Sequence, residues 1–205
     1  MPKLEQRMAE TIFEIKADGK EEKKQRIVGH AAVFDDPAPE TYGFIEKIAP
    51  GAFTNALKTS DTRALYNHNS DKVLGRKSAE TLVLGEDEVG LWYEITPGSR
   101  SYEKDLIESL DRGDIKESSF QFVVEVEEWD ESGDIPVRTI IKVSELRDVS
   151  PVTFPWYPTT ESGLRSKEEI LTNHKKEKSD QKRAQNKRAL SLYKKKIKLN
   201  ERKCK

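Results

Sequence analysis

Short stretches of the chain alternate between hydrophobic and polar residues, which is the pattern of β-strands with one buried face. The alternation is clearest at residues 119–129, where two phenylalanines and two valines fall on one face and mostly polar side chains on the other. Strands are predicted at residues 11–17, 26–34, 81–84, 90–96, 119–129, 136–143 and 146–153. Their close spacing favours antiparallel pairing of neighbours.

Turn residues indicate where neighbouring strands reverse direction. The polar residues 18–25 predict a hairpin between the first two strands. Gly85 predicts the turn of a second hairpin, between the third and fourth strands, because glycine tolerates the backbone angles of tight turns. Ser144 and Glu145 predict a turn between the last two strands.

Two segments have a helical pattern instead. Residues 99–111 repeat a hydrophobic residue every four positions, which is typical of one face of an amphipathic helix. We expect Ser99 or Ser101 to cap this helix and Gly113 to end it. Residues 51–58 predict a second, short helix.

These elements predict a mainly β protein with flanking helices, arranged as an antiparallel barrel or sandwich. Hydrophobic residues make up 35% of the 205 residues and charged residues 36%. Ordinary domains have about 45–50% and about 25%. We therefore expect part of the chain to lie outside the core.

The distribution of charge indicates where that part lies. Residues 166–205 carry 15 Lys and Arg against 5 Asp and Glu, whereas the rest of the chain carries 21 against 32. We interpret residues 1–25 as an N-terminal strand with a charged turn, 26–165 as the domain, and 166–205 as a basic C-terminal extension. The extension is expected to be flexible or helical and without a core, with residues 181–199 the most helical part.

Several functional classes are disfavoured by composition. The single cysteine, Cys204, excludes an intramolecular disulfide. No signal peptide and no run of 18 apolar residues is visible, which predicts a soluble protein without membrane partners. His30, His68 and His174 lie too far apart in sequence for a metal motif, and no glycine-rich phosphate loop occurs, so neither a metal nor another cofactor is predicted.

Nucleophilic catalysis by a serine and a histidine remains open. His68 follows the short apolar run 63–67 in the polar loop NHNSD, and Ser119 begins a long predicted strand. Functional groups are often displayed at such element ends. Residue types alone equally allow a solvated loop histidine and an ordinary strand-start hydroxyl.

Five sequence blocks, in order, resemble the prohead serine protease family of tailed bacteriophages and prophages. They are GHAAVFDDPAPETYGFIEKIAPGAFTNAL, ALYNHNSDKVLGR, TLVLGEDEVGLWYEI, LIESLDRGDIKESSFQF and LRDVSPVTFPWYPTTESGLR. Together they cover about residues 26–165. Each block alone is a weak signal, but five in register are a strong one.

The resemblance implies a capsid maturation protease with an antiparallel β-barrel similar to that of the herpesvirus assembly proteases. Such enzymes act inside the assembling prohead in the bacterial host cytoplasm. They cut the scaffold, or the scaffolding segment of the major capsid protein, and often themselves. Those capsid and scaffold proteins are therefore the expected partners and substrates.

The resemblance also implies the catalytic residues. The family's histidine falls on His68 and its serine on Ser119, while the acidic residue before V-S falls on Asp148. Glu145 is the nearby rival for the acidic role. Ser118 is a second hydroxyl next to Ser119, but strand alternation predicts that the two point to opposite faces.

Other readings follow from features that the resemblance does not use. A non-catalytic assembly module is one alternative, with the basic tail binding capsid protein or nucleic acid. Nucleic-acid binding is not favoured, because the body is acidic and the tail has only Tyr193 as an aromatic platform. A homo-oligomer is compatible with the opposite charges of body and tail. The RGD at residues 112–114 is expected to be a helix end, and the acidic residues 125–134 a solvated hairpin tip.

Overall fold

The computed structural model describes residues 4–10, 13–17, 25–37, 43–154 and 161–203. The chain divides into two compact units, residues 1–163 and 164–205. The strands are β1 Leu4–Glu10, β2 Glu14–Ala17, β3 Gln25–Val33, β4 Ile45–Ile48, β5 Arg63–Tyr66, β6 Asn69–Arg76, β7 Leu82–Glu86, β8 Gly90–Ile95, β9 Glu117–Asp130 and β10 Val137–Val152. The helices are α1 Ala56–Thr59, α2 Ser101–Asp111 and α3 Glu161–Lys203, with a 3₁₀ turn at Lys77–Ala79.

The larger sheet is built on the long antiparallel pair β9 and β10. Its strand order is β1, β9, β10, β5, β6, and β4 also pairs with β10. The pairs of β10 with β4 and with β5 are parallel, whereas the other pairs in this sheet are antiparallel. The sheet curls into a half-barrel. β9 and β10 therefore form its centre, with partners on both sides.

The second sheet has the order β2, β3, β8, β7. It contains the two hairpins predicted from the alternation, β2 with β3 and β7 with β8. The prediction of Gly85 in a turn was wrong, because Gly85 lies within β7 opposite Trp92. A side chain there would begin 2.6 Å from the Trp92 ring, so glycine leaves room for the indole. The turn lies at residues 87–89, where the Asp87 carboxylate accepts the N–H groups of Val89 and Gly90.

The predicted mainly β class with flanking helices is confirmed, but a closed barrel is not. Within the described residues, ten strands form two sheets, whereas seven strands were predicted, and neither sheet closes into a barrel. The predicted turn at Ser144 and Glu145 was wrong. Both residues lie inside the continuous strand β10, where register shifts against β9 absorb the irregularity as bulges.

Four strands are absent from the predicted list. β5 falls in the short apolar run 63–67. β1, β4 and β6 were missed because they are rich in charged residues, whereas strand prediction relies on branched and aromatic side chains. The loop expected at residues 67–71 is shorter than predicted, because β6 already begins at Asn69. In β1 and β4 the charged residues Glu5, Arg7 and Glu46 are nevertheless buried.

The core and the helices largely follow the hydrophobic pattern. Phe53 and Phe120 pack edge to face, and Phe120 stacks with Phe122 at 4.9 Å between ring centres. α2 confirms the predicted helix and buries Leu106 and Leu110.

The N-terminal cap of α2 is Arg100, whose backbone N–H donates to the Glu103 carboxylate, so neither Ser99 nor Ser101 caps the helix. The predicted helix at 51–58 is a turn followed by the single-turn helix α1.

The second unit consists of helix α3. The predicted helical part, residues 181–199, lies within a longer continuous helix. Most of the described side chains of this helix are exposed to solvent. Among the described residues, no helix is long and apolar enough to cross a membrane.

A buried cluster of charges joins β1 to the centre of the larger sheet. Arg7 donates to both carboxylate oxygens of Glu46 and, at 2.7 Å, to Glu5. Arg138 donates to Glu46 at 2.6 Å, to Glu5 at 2.8 Å and to Glu127. Buried charges are costly unless they are paired in this way. Burial by itself raises the pKa of Glu46, but Arg7 and Arg138 outweigh it and lower this pKa to about 2.

We predict that Glu46→Gln destabilises the fold by about 3 kcal/mol at pH 7, because it leaves two buried guanidinium groups short of a negative partner. The lowered pKa of Glu46 means that its contribution is present above its ordinary pKa of 4.5 and is lost as the pH falls towards about 2. The difference between variant and wild type should therefore narrow below pH 4.5. Urea unfolding followed by tryptophan fluorescence at several pH values measures this.

The matched control is Glu88→Gln, which removes the same charge from an exposed position in the β7–β8 turn. It should change stability by less than about 0.5 kcal/mol. Equal stability losses in the two variants would contradict a structural role for the buried cluster.

Candidate active site

His68 lies in a tight turn that is fastened to the end of β10. Tyr66 and Asn69 are paired in the ladder, so only Asn67 and His68 form the loop, both with φ of 55°. Two positive φ angles are the signature of a twisted two-residue hairpin turn. Asn67 bonds Thr153 through both ends of its amide, and its N–H donates to the Pro151 carbonyl. These hydrogen bonds fix the position of the turn, and with it the His68 imidazole beside Ser119.

Ser119 lies in the middle of the sheet rather than at its rim. It is the third residue of β9, paired with Met8 of β1 on one side and with Ser150 of β10 on the other. Its side chain is completely buried. Ser119 is therefore near the start of its strand, as predicted. The strands β1 and β10 lie on either side of it and bury its side chain.

Three of the predicted site residues meet in one hydrogen-bonded chain. The Nε2 atom of His68 lies 2.7 Å from the Ser119 hydroxyl, and Nδ1 lies 2.5 Å from Oδ1 of Asp148. Asp148 is 2% exposed, so water does not compete for this carboxylate. Because a carboxylate accepts hydrogen bonds, the proton of neutral His68 belongs on Nδ1, which leaves Nε2 free to accept from Ser119.

Ser150 is a fourth member of the cluster, which sequence reasoning missed. Its hydroxyl donates to Oδ1 of Asp148 at 2.9 Å, and its oxygen lies 3.3 Å from Nδ1 of His68. It holds the carboxylate oxygen that faces the imidazole. The available signal was its position two residues after Asp148, which puts both side chains on the same face of a strand.

The adjacent serine takes part in a different contact. The Ser118 hydroxyl lies 3.0 Å from the Tyr93 hydroxyl, on the opposite side of β9 from the Ser119 cluster. Burial raises the pKa of Tyr93 above its ordinary value, so its phenol stays protonated. The alternation of side chains in a strand thus separates the two hydroxyls as predicted.

The other residues considered from sequence do not join this hydrogen-bonded chain. Glu145 is exposed and lines the same cleft as His68 and Asp148, but no hydrogen bond joins it to His68 within the described contacts. His30 lies in β3 and contacts Asp87 at 2.9 Å. His174 lies in α3. The RGD at residues 112–114 ends α2 as expected, with Gly113 at a φ of 75°.

An open cleft of about 1110 Å³ adjoins the cluster. His68, Asp148 and Gln121 contribute to its lining, and Leu4 of β1 forms part of its wall, whereas Ser119 does not reach it. Among the described residues, no group of three or more His, Cys, Asp or Glu side chains is arranged to hold a metal ion. The chemistry that this arrangement supports is proton transfer between a serine, an imidazole and a carboxylate.

The family described as caudovirus prohead serine protease matches residues 12–177, most of the chain, and the match extends beyond the region 26–165 at both ends. Comparisons with curated proteins and with solved structures found no match.

We predict that His68 carries its proton on Nδ1 and that Asp148→Asn removes this preference, because an amide no longer requires a donor from the ring. Nitrogen-15 NMR of the imidazoles, with the His68 signals assigned through His68→Gln, measures the tautomer. Asp87→Asn is the matched control, since it changes the carboxylate beside His30. A His68 tautomer that is the same in wild type and Asp148→Asn would contradict the geometry.

Proposed function

Since this chain belongs to the caudovirus prohead serine protease family, whose members act in capsid maturation, we propose that Ser119, His68 and Asp148 form its catalytic triad. The observation that carries the proposal is the unbroken chain of hydrogen bonds from the Ser119 hydroxyl through both nitrogens of His68 to a buried carboxylate. Nucleophile, base and orienting group within hydrogen-bond reach are what acyl transfer by a serine requires.

The proposed reaction is peptide hydrolysis in two steps. Nε2 of His68 takes the proton of Ser119 as Oγ attacks the scissile carbonyl carbon, and the imidazolium then gives that proton to the leaving amine. Water, deprotonated by the same imidazole, attacks the acyl-enzyme and releases the second product. The imidazolium then returns its proton to Oγ of Ser119 as the acyl bond breaks, so the second step regenerates the free serine and the neutral histidine.

Asp148 and Ser150 act on His68 rather than on the substrate. The Asp148 carboxylate holds the Nδ1–H tautomer and stabilises the imidazolium that forms during attack. Ser150 donates to the same carboxylate oxygen and so orients it towards the ring. Glu145 is exposed and lacks a bond to His68 among the described contacts, so we assign the acidic role to Asp148.

The proposed substrates are those of a maturation protease. We assign to this chain the cleavage of scaffold protein, or of the scaffolding segment of the major capsid protein, inside the assembling prohead in the host cytoplasm. Cleavage of the chain itself near the junction with the basic extension is part of the same proposal. The extension, mostly exposed on α3, is suited to docking the enzyme on an acidic scaffold or capsid surface before release.

We predict that Ser119→Ala and His68→Ala lower kcat by about four to six orders of magnitude, because the residues of such a triad act as a unit. Asp148→Asn should lower it by about four orders. Ser118→Ala is the matched control, because it removes the neighbouring hydroxyl from the opposite face of β9. Full activity in either the Ser119 or the His68 variant would refute the triad, and loss of activity only in Ser118→Ala would reassign the nucleophile.

We also predict that this chain shortens the major capsid protein encoded nearest to its gene when the two are expressed together, and that Ser119→Ala does not. Intact-mass analysis of both partners identifies the cleavage sites, including any site near the basic extension. Assembled shells with unchanged masses of both proteins would favour the non-catalytic assembly module. A wild-type chain that cuts the capsid protein but keeps its full length over days would argue against self-cleavage alone.

A further inference from the structure

The Ser119 hydroxyl is covered by the chain's own first strand. Ser119 is completely buried, and the cleft that reaches His68 and Asp148 does not reach it. β1 pairs with β9 from Leu4 opposite Val123 to Glu10 opposite Glu117, so it runs along the edge on both sides of Ser119. A peptide bond in solution therefore has no path to Oγ while β1 is in place.

β1 contacts Ser119 as a bound peptide would. The hydroxyl of Ser119 is within 2.8 Å of the backbone carbonyl oxygen of Arg7, a second acceptor for the same proton besides His68. The side-chain amide of Gln6 lies 3.3 Å from Oγ. An extended backbone that runs antiparallel to β9 is the arrangement of a peptide bound by strand addition. The Ser119 hydroxyl donates to the Arg7 carbonyl oxygen instead of facing the carbonyl carbon, so β1 occupies the edge without being placed for attack.

Arg7, whose carbonyl contacts Ser119, also places its side chain against the buried carboxylate of Glu46. Arg7 is opposite Phe120, and its guanidinium lies 5.8 Å from the ring centre of Phe122, on the buried face of the sheet. There it meets Glu46 through two hydrogen bonds. A planar guanidinium held by both oxygens of a carboxylate is a selective contact for a basic side chain.

An exchange of β1 for another peptide is compatible with the rest of the fold. Among the described strands, β1 is the outermost of its sheet and pairs only with β9. Its release would leave β9 with a row of unpaired backbone groups, which is a template for another extended chain. Glu46 would keep its bond to Arg138, so the acidic group of the side-chain site would stay in position.

We propose that the β9 edge at residues 117–123 is the substrate-docking edge, that it selects an extended peptide with Arg or Lys facing Glu46, and that β1 occupies it as an internal substrate mimic. This inference rests on the proposed function, because it takes Ser119 as the nucleophile. Opening of the site then requires that β1 leaves the edge. The peptide sequence LEQRMAE, that of β1 itself, is the first approximation to what the edge accepts.

A reversible disulfide between β1 and β9, called the lock below, tests the proposal in the full chain. Leu4 and Val123 are directly opposite each other in the antiparallel ladder, so Leu4→Cys with Val123→Cys is suited to form a disulfide. Cys204→Ser removes the native thiol, and this single variant, treated identically, is the control for oxidation. The readout is the rate at which a fluorophosphonate probe labels Ser119, with bridge formation verified by mass.

We expect the oxidised double variant to label at least about tenfold more slowly than the same protein after reduction, while the control labels equally in both conditions. Arg7→Ala, which removes the anchor of β1 to Glu46, should label several-fold faster than wild type. Equal rates in the oxidised and reduced forms, or slower labelling in Arg7→Ala, would overturn the inference and leave the triad intact. Failure of every form to label would refute the proposed function and this inference with it.

Synthetic peptides test the side-chain preference. With the lock reduced, LEQRMAE should protect Ser119 from the probe, and LEQEMAE, which carries glutamate at the arginine position, should not. The reversed charge would face Glu46 and be repelled. Equal protection by the two peptides would overturn the assignment of Glu46 as the group that selects a basic residue.

Discussion

The antiparallel pairing of β9 with β10 is the constraint on which the rest of the structure depends. It sets Ser119 opposite Ser150, and Asp148 lies two residues before Ser150 on the same face of β10. A shift of one residue in this register would place Ser119 on the opposite face of the sheet from Asp148 and Ser150. The bulges in β10 are therefore significant, because the last register shift, between Leu146 and Asp148, sets the pairing in which Asp148 lies opposite Gln121 and Ser150 opposite Ser119.

The two faces of β9 have separate tasks. One face carries Ser119 and Gln121 towards His68 and the cleft, and the other carries Phe120 and Phe122 into the core. On the core side, β1 and β4 also contribute the buried charges Glu5, Arg7 and Glu46, which pair with one another and with Arg138 of β10. Loss of a single partner from this cluster is costly, because it leaves another charge buried without compensation. The same contacts that stabilise the sheet also hold β1 over Ser119.

Much of the local structure was predictable from sequence. The hairpins of the second sheet and helix α2 follow from periodicity, and the block-by-block resemblance singled out His68, Ser119 and Asp148, which the fold brings together. β1, β4 and β6 were not predictable in this way. Their charged residues have the pattern of a solvent-exposed segment. Glu46 and Arg7 are buried because they pair with each other across 39 residues of sequence, and a local pattern carries no sign of that pairing. Ser150 was missed for a similar reason, because its role depends on contacts with two other segments.

By itself, the sequence determined which face of each strong strand is buried, the acidic body with its basic extension, and the family to which the chain belongs. These properties follow from composition and local order. Only the tertiary structure decided that His68, 51 residues from Ser119 and 80 from Asp148, meets both side chains, and that β1 covers the hydroxyl. The physical reason is that strand pairing and buried ion pairs join segments remote in sequence, and periodicity within one segment carries no information about its partner.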